Sequence, residues 1–390
     1  MNFDEIIDRR GTNSKKWDSL QEFTGVSPTD GIAMWTADMD FRAPDCVQQA
    51  VQRLYDNANY GYFDGYPKYR ESVAWWMQYR HGWAVDPGWI FTTYGLGNAI
   101  GLTLQTFTDP GDGIILFTPV YHEFLSLIKK AGRTIVELEM QQADGAYQFD
   151  FERFQSQLTG REKAVILCSP HNPAGRIWSP QDLVQLAEFC VRNDLLIISD
   201  DIHHDLIYPG HRFTPLPTAV PDVADRLVVL TAASKTFNIA GTRTGNVIIS
   251  DPVLQAKFKA AISALSIVPN LFGMFITQAA YSRAGAQWVD DLMIYLDGNR
   301  RAFDAGISAI PGLKPMPMQA TYLAWVDFAG TGLDMADVNH RVADDARLGI
   351  TRGRALGKGG ETFLRFNIGT QRALVTEAIE RLQDAFSDLQ

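Results

Sequence analysis

Cysteine is scarce in this chain. Cys46, Cys168 and Cys190 form no Cys-x-x-Cys and no paired framework. That argues against a disulfide scaffold and for a reducing compartment. Long apolar runs are missing as well. Nothing approaches the roughly 20 consecutive apolar residues of a membrane span. The first ten residues carry Asp4, Glu5, Asp8, Arg9 and Arg10 with no long apolar run after them, unlike a signal peptide. The expectation is a soluble, cytoplasmic protein with no membrane partner. Basic charge is in deficit: 45 acidic side chains face 35 Lys and Arg, a formal net charge of −10, and no basic run occurs. Such a surface disfavours nucleic acid as a partner. Low-complexity segments and internal repeats are also absent, which removes the disordered and fibrous classes.

What is present is an ordinary globular composition, 46% hydrophobic over 390 residues, long enough for two or three domains. Short apolar runs punctuate the middle of the chain: 113–117, 164–168, 195–199, 227–231 and 247–249. Runs of this length, apolar throughout, read as strands buried on both faces. Between them, 121–132 and 180–193 are long enough for crossover helices, and Ser179-Pro180 is a helix start. Strand alternating with helix predicts an α/β fold with a mostly parallel sheet covered by helices. Beyond about residue 285 the pattern changes. Helix-like stretches at 288–310, 335–348 and 370–389 flank strand-like ones at 322–327 and 363–368. The expected division is a large domain over 51–285 and a smaller α/β domain built from 1–50 and 286–390.

In such a sheet, ligands gather at the carboxyl ends of the strands. Three consecutive runs end in Ser169-Pro170-His171-Asn172-Pro173-Ala174-Gly175, Asp200-Asp201-Ile202-His203 and Ser234-Lys235-Thr236. An Asn, an Asp and a Lys therefore reach one edge. That trio suits pyridoxal phosphate. A lysine can hold the aldehyde as a Schiff base, a carboxylate beside the pyridine nitrogen favours the protonated ring, and an amide can donate to the ring oxygen. Gly95-Leu96-Gly97 before a helix-like stretch, with Ser234 and Arg243, could cradle the phosphate. A nicotinamide reading of Gly95 to Gly101 fails, because the spacing is not Gly-x-Gly-x-x-Gly. His203 and His204 invite a metal reading, but adjacent side chains point apart and no third ligand is spaced for zinc, so no metal is expected.

These motifs resemble the fold-type I pyridoxal-phosphate enzymes of the aminotransferase class I/II superfamily. More narrowly, Trp35-Thr36-Ala37-Asp38-Met39-Asp40-Phe41, Tyr60-Gly61-Tyr62, Thr118-Pro119-Val120-Tyr121, Thr321-Tyr322-Leu323-Ala324-Trp325 and Leu364-Arg365-Phe366-Asn367 resemble the MalY/PatB group of cystathionine β-lyases. The resemblance implies a large cofactor-binding domain, a smaller α/β domain and a homodimer. It implies that Lys235 carries the cofactor and shuttles the α-proton, that Asp200 pairs with the pyridine nitrogen, and that Asn172 and His203 lie near the ring oxygen. Tyr121 would stack on the ring as a second catalytic residue. Gly95, Leu96, Gly97, Ser234 and Arg243 would hold the phosphate, joined by Tyr62 from the neighbouring subunit. Arg365 would clamp the substrate carboxylate, with Asn172 and the backbone near Ala37 and Asp38 helping.

The implied reaction is β-elimination from cystathionine or another cysteine conjugate, giving pyruvate, ammonia and a thiol. An aminotransferase, or a β-replacement or cyclising enzyme, would keep every cofactor residue and is the alternative. A non-catalytic regulator on the same fold would show degraded cofactor residues or an added DNA-binding segment. Three positions depart from the group. Ala232 stands where a phosphate-binding hydroxyl is common, Arg243 belongs to the wider superfamily, and Arg352-Gly353-Arg354-Ala355-Leu356-Gly357 replaces a Pro-Gly loop. Arg352 and Arg354 are solvated loop charges or partners for a second acidic group on the substrate.

Overall fold

The structure, a computed structural model, describes residues 1–143 and 145–389. A seven-stranded sheet forms its centre. The strands are β1 (Ile90–Thr93), β2 (Gly113–Thr118), β3 (Thr134–Glu139), β4 (Glu162–Cys168), β5 (Leu196–Asp200), β6 (Leu227–Thr231) and β7 (Gly245–Ile248). Their spatial order is β1-β7-β6-β5-β4-β2-β3. β7 runs antiparallel to both neighbours, and the other pairings are parallel.

The continuous apolar runs have a direct cause. Alternate residues of each central strand enter two different cores. Ile115, Val165, Ile197 and Val229 pack on one face, and Ile114, Ile166, Ile198 and Val228 on the other. Helices cover both faces, among them α1 (Leu96–Phe107), α2 (His122–Lys130) and α3 (Pro180–Arg192). Ser179 caps α3 by accepting from the Asp182 N–H, while the Asp182 carboxylate accepts from the Ser179 N–H. This is a reciprocal capping box behind a proline at the first helical position.

The C-terminal region builds a second, four-stranded sheet: β8 (Lys314–Pro315), β9 (Leu323–Asp327), β10 (Thr351–Arg352) and β11 (Phe363–Asn367), ordered β8-β9-β11-β10 with every pair antiparallel. Helices α4 (Arg283–Ser308) and α5 (Arg372–Ala385) pack on each other beside it. The N-terminal segment joins this region, because Ile32–Ala33 pairs in parallel with Leu348–Gly349.

Several expectations need correction. Residues 335–348 are not one helix. An α-helix spans Met335–His340, a wider π-type turn covers Arg341–Asp345, and the chain is extended by Leu348. The helix expected from 288 begins at Arg283, where Ser282 caps it through the Gly285 N–H. The edge strands β1 and β3 add to the five read from apolar runs. Among the described residues, no helix is long and apolar enough to cross a membrane.

Candidate active site

The segment that follows β6 lines a cavity of about 1170 Å³, while Asn172, Asp200 and His203, at the ends of β4 and β5, are buried and outside its wall. Its wall includes Ala37, Asp38, Tyr121, Lys235, Arg243 and Arg365. Lys235 lies four residues beyond β6 and is half-buried. Its Nζ donates to the Ala37 carbonyl at 2.6 Å, so the N-terminal segment positions the amine. Burial lowers its pKa to about 8, against the pull of Asp38.

Asp200 ends β5 and is buried. One oxygen accepts from the Ile202 N–H at 3.1 Å. Burial pushes its carboxyl up to about 6, although the Ile202 N–H and the Lys235 charge pull it down. The acid and the amine thus lie on one sheet edge, close enough to feel each other's charge. His203 is buried, and among the described residues its Nδ1 has no hydrogen-bond partner. Burial, reinforced by Lys235 and Arg365, holds its pKa well below the usual value, so the ring is neutral.

Arg365 comes from β11 and is buried. Its Nη1 donates to Asn172 Oδ1 at 2.9 Å, and its Nη2 to the Trp35 carbonyl at 2.8 Å and Thr351 Oγ1 at 3.1 Å. No carboxylate pairs with it among the described residues, and its Nε has no partner. Burial lowers even this guanidinium to about 10. An unpaired buried guanidinium is costly unless an anion arrives. The structure therefore brings Asn172 and Arg365 together, although 193 residues separate them. Tyr121 is half-buried just before α2, and burial pushes its hydroxyl up to about 12, so it is neutral.

Of the residues expected to take an anion, Gly95 and Arg243 are neighbours, a Cβ on Gly95 falling 3.9 Å from the Arg243 Cα. Gly95 precedes α1 with φ of +82° and ψ of 170°, a conformation reserved for glycine. It leaves the first N–H groups of the helix, at Leu96 and Gly97, without intrahelical partners. Gly245 on β7 permits that approach, since a Cβ there would lie 2.8 Å from the Leu96 side chain. Ser234 is half-buried and Arg243 exposed, with no acidic partner for Arg243 among the described residues. Tyr62 stands apart. It is fully exposed and absent from the cavity wall of its own chain.

Beneath Lys235 lies a network that the sequence hid. Asp205 accepts from Trp76 Nε1 at 3.0 Å and Thr236 Oγ1 at 2.9 Å, with His81 Nε2 at 3.0 Å and His204 Nε2 at 3.2 Å. Sequence spacing offered no third ligand for His203 and His204, but the fold brings one to His204 from far along the chain. His81, from a distant helix, meets His204 and Asp205 in one buried cluster. Both carboxylate oxygens are already engaged there. Burial opposes charge on His204, but Asp205 overrides it and keeps the ring protonated. Burial and the His204 charge lower His81 to about 4.

A buried neutral imidazole nitrogen without a partner, a carboxylate with one backbone donor, a helix start behind a glycine, and a free guanidinium fit one ligand: a phosphorylated heteroaromatic ring. Residues 30–382 match the family described as aminotransferase class I and II. The chain belongs to that family. It is 39% identical to cystathionine beta-lyase PatB of Bacillus subtilis (strain 168), across 99% of this chain and all of that one. Protein MalY of Escherichia coli (strain K12) is 28% identical, across 98% of both. Among solved structures, cystalysin from Treponema denticola, which contains pyridoxal 5'-phosphate, superposes with a TM-score of 0.94 at 32% identity, covering all of this chain and 99% of that one. The pyridoxal-phosphate-bound C–S lyase from Staphylococcus hominis gives 0.91 at 28%, covering 99% and 98%. This aminotransferase-family chain therefore has the fold-type I architecture that its strand-end motifs imply.

Proposed function

We propose that the protein is a pyridoxal-phosphate-dependent carbon–sulfur β-lyase, cleaving cystathionine or a related cysteine conjugate to pyruvate, ammonia and a thiol. The observation that carries this is the buried, unpaired Arg365 facing the same cavity as Lys235, beside Asp200. Lys235 would hold the cofactor. Asp200 would face its pyridine nitrogen, with Asn172 and His203 near the ring oxygen and Tyr121 against the ring. Gly95, Leu96, Gly97, Ser234 and Arg243 would take the phosphate. When bound, the cofactor supplies a sink for the electron pair left at the substrate's α-carbon.

The chain's own residues do the rest. Arg365 takes the substrate carboxylate through its fork of donors, so that carboxylate completes an ion pair. Asn172 holds one arm of the fork, while Thr351 and the Trp35 carbonyl hold the other. Lys235 must be neutral at Nζ to accept the α-proton, and burial that lowers its pKa to about 8 raises the neutral fraction. The Ala37 carbonyl steers that nitrogen. The neutral Tyr121 hydroxyl can donate without repelling an anionic substrate.

On this reading 51–285 is the cofactor-holding domain, and 1–50 with 286–390 is the small domain that brings Arg365. A second copy would supply Tyr62. Exposed Tyr55, Tyr60 and Phe272 around that segment support such a dimer, with Tyr60 and Phe272 rings 5.5 Å apart. The test is incubation of the cofactor-loaded protein with L-cystathionine and no keto acid. Continuous release of pyruvate and thiol is expected. A single half-turnover would move the assignment to an aminotransferase.

A further inference from the structure

The cavity holds more positive charge than the cofactor and one carboxylate would use. The aspartates on its wall are engaged, Asp38 and Asp40 pairing with Arg9 at 2.7 and 3.0 Å. Glu123 has only the His122 ring at 3.7 Å, whose pKa burial lowers, and is the one wall acid without a cationic partner among the described residues. Arg42 is held by Glu5 at 2.7 Å. Among the described residues, Lys15, Arg243, Arg352 and Arg365 line the cavity with no acid within 4.0 Å. On the lyase reading, Arg243 serves the phosphate and Arg365 the α-carboxylate. Lys15 and Arg352 are left over.

Their place is ordered. From Arg365 a continuous wall of contacts leads outward. Thr351 accepts from Arg365 and donates to the Trp35 carbonyl at 2.8 Å. The Trp35 ring stacks on Phe23, with centroids 5.0 Å apart and planes 16° apart. The Lys15 ammonium lies 5.1 Å from the Phe23 ring centre. Arg352 follows Thr351 directly in β10. A guanidinium, an aromatic pair and an ammonium thus succeed one another along one side of the cavity.

We infer that this wall is a subsite for the sulfur substituent of the substrate, and that the enzyme takes conjugates whose substituent ends in a carboxylate. The proposal rests on the lyase reading and specifies its substrate class. The α-carboxylate binds Arg365, the methylene and thioether segment lies against Trp35 and Phe23, and the distal carboxylate meets Lys15 and Arg352. Both cations are exposed, so each gains modestly alone. Acting together on one anion at a partly apolar wall they gain more.

The test uses the cofactor-loaded protein and two simple probes, glutarate and butyrate, titrated by calorimetry. Glutarate should bind about tenfold tighter, equivalent to about 1.4 kcal/mol. Lys15→Gln and Arg352→Gln should each shrink that ratio, the double variant should abolish it, and Lys15→Arg should restore it. In pyruvate assays, S-(2-carboxyethyl)cysteine should exceed S-propylcysteine in kcat/KM by a similar ratio, which 0.5 M salt should reduce. Equal binding of the two probes, or a glutarate advantage untouched in the double variant, overturns the subsite. A glutarate advantage without pyruvate from any conjugate supports the subsite and sinks the lyase assignment instead.

Discussion

Asp200 ends β5, Asp205 follows five residues later, and both are buried. Asp205 is surrounded by donors from Trp76, Thr236 and His81 and by the His204 charge. These override burial and hold its carboxyl well below the usual range. Asp200 has one backbone donor, and burial wins, raising it to about 6. The cations repeat the contrast. Lys16 is fully buried but closed by Asp40 at 2.6 Å and the Asp38 carbonyl at 2.9 Å. Arg365 is as deeply buried with no acid paired to it among the described residues. Burial alone does not distinguish scaffold from site. The distinction is whether the chain itself completes each group's partners. Where it does, the group fixes the fold. Where it does not, the group is held ready for a ligand, at a cost to the empty protein.

The largest break in this comparison comes from the amine on the open side. Lys235→Ala should cut pyruvate release by at least about 10²–10⁴-fold. The visible absorbance of a lysine-linked cofactor should vanish, while far-ultraviolet circular dichroism stays native. Normal turnover by that variant would remove Lys235 from the mechanism.

The two aspartates should then respond with opposite signs. Asp200 titrates near 6 when folded and near 4 when unfolded. Between those values the folded protein holds a proton that the unfolded chain has lost. Stability of the cofactor-free protein from this group is therefore present below pH 4 and falls as pH rises toward 6. Asp200→Asn should make the cofactor-free protein more stable above pH 6, by on the order of 2–3 kcal/mol, and leave it unchanged near pH 4. Asp205→Asn should cost about 3–5 kcal/mol at neutral pH, because it breaks a buried ion pair and takes away the carboxylate that Trp76 and Thr236 share as acceptor. Denaturant titrations of both variants at pH 4 and 7.5 decide the matter. Equal losses would erase the distinction.

What the sequence revealed follows the same division. Strands β2, β4, β5 and β6 were legible because burial on both faces leaves a run of consecutive apolar residues in each, with polar residues only toward their ends. β3 reads Thr-Ile-Val-Glu-Leu-Glu, half-exposed at the sheet edge, and gave no such run. The antiparallel sense of β7 was illegible, since a short apolar run carries no direction. The positions of Asp200 and Lys235 at one edge were legible because consecutive strands of an α/β sheet end together. The Arg365–Asn172 contact is a product of how the C-terminal sheet meets the central one, and motif likeness alone pointed to Arg365. His81 could not have been found. It meets Asp205 across 124 residues, and a lone histidine at a helix end has no spacing that announces a partner.

Tyr62 gives the smallest expected effect and sharpens the comparison at its margin. Within one chain it is fully exposed, so it belongs to neither the closed scaffold nor the open cavity. Tyr62→Phe should leave the stability of a dilute, monomeric chain within about 0.5 kcal/mol of the parent, as for other surface changes. If a second copy directs this hydroxyl at the phosphate, the loss of one hydrogen bond to a charged group should weaken cofactor affinity by about tenfold, the lower end of the range for such bonds. Equilibrium dialysis of the cofactor, at protein concentrations above and below dimer dissociation measured by sedimentation, separates the two contributions. An unchanged affinity in the dimer would return Tyr62 to the surface.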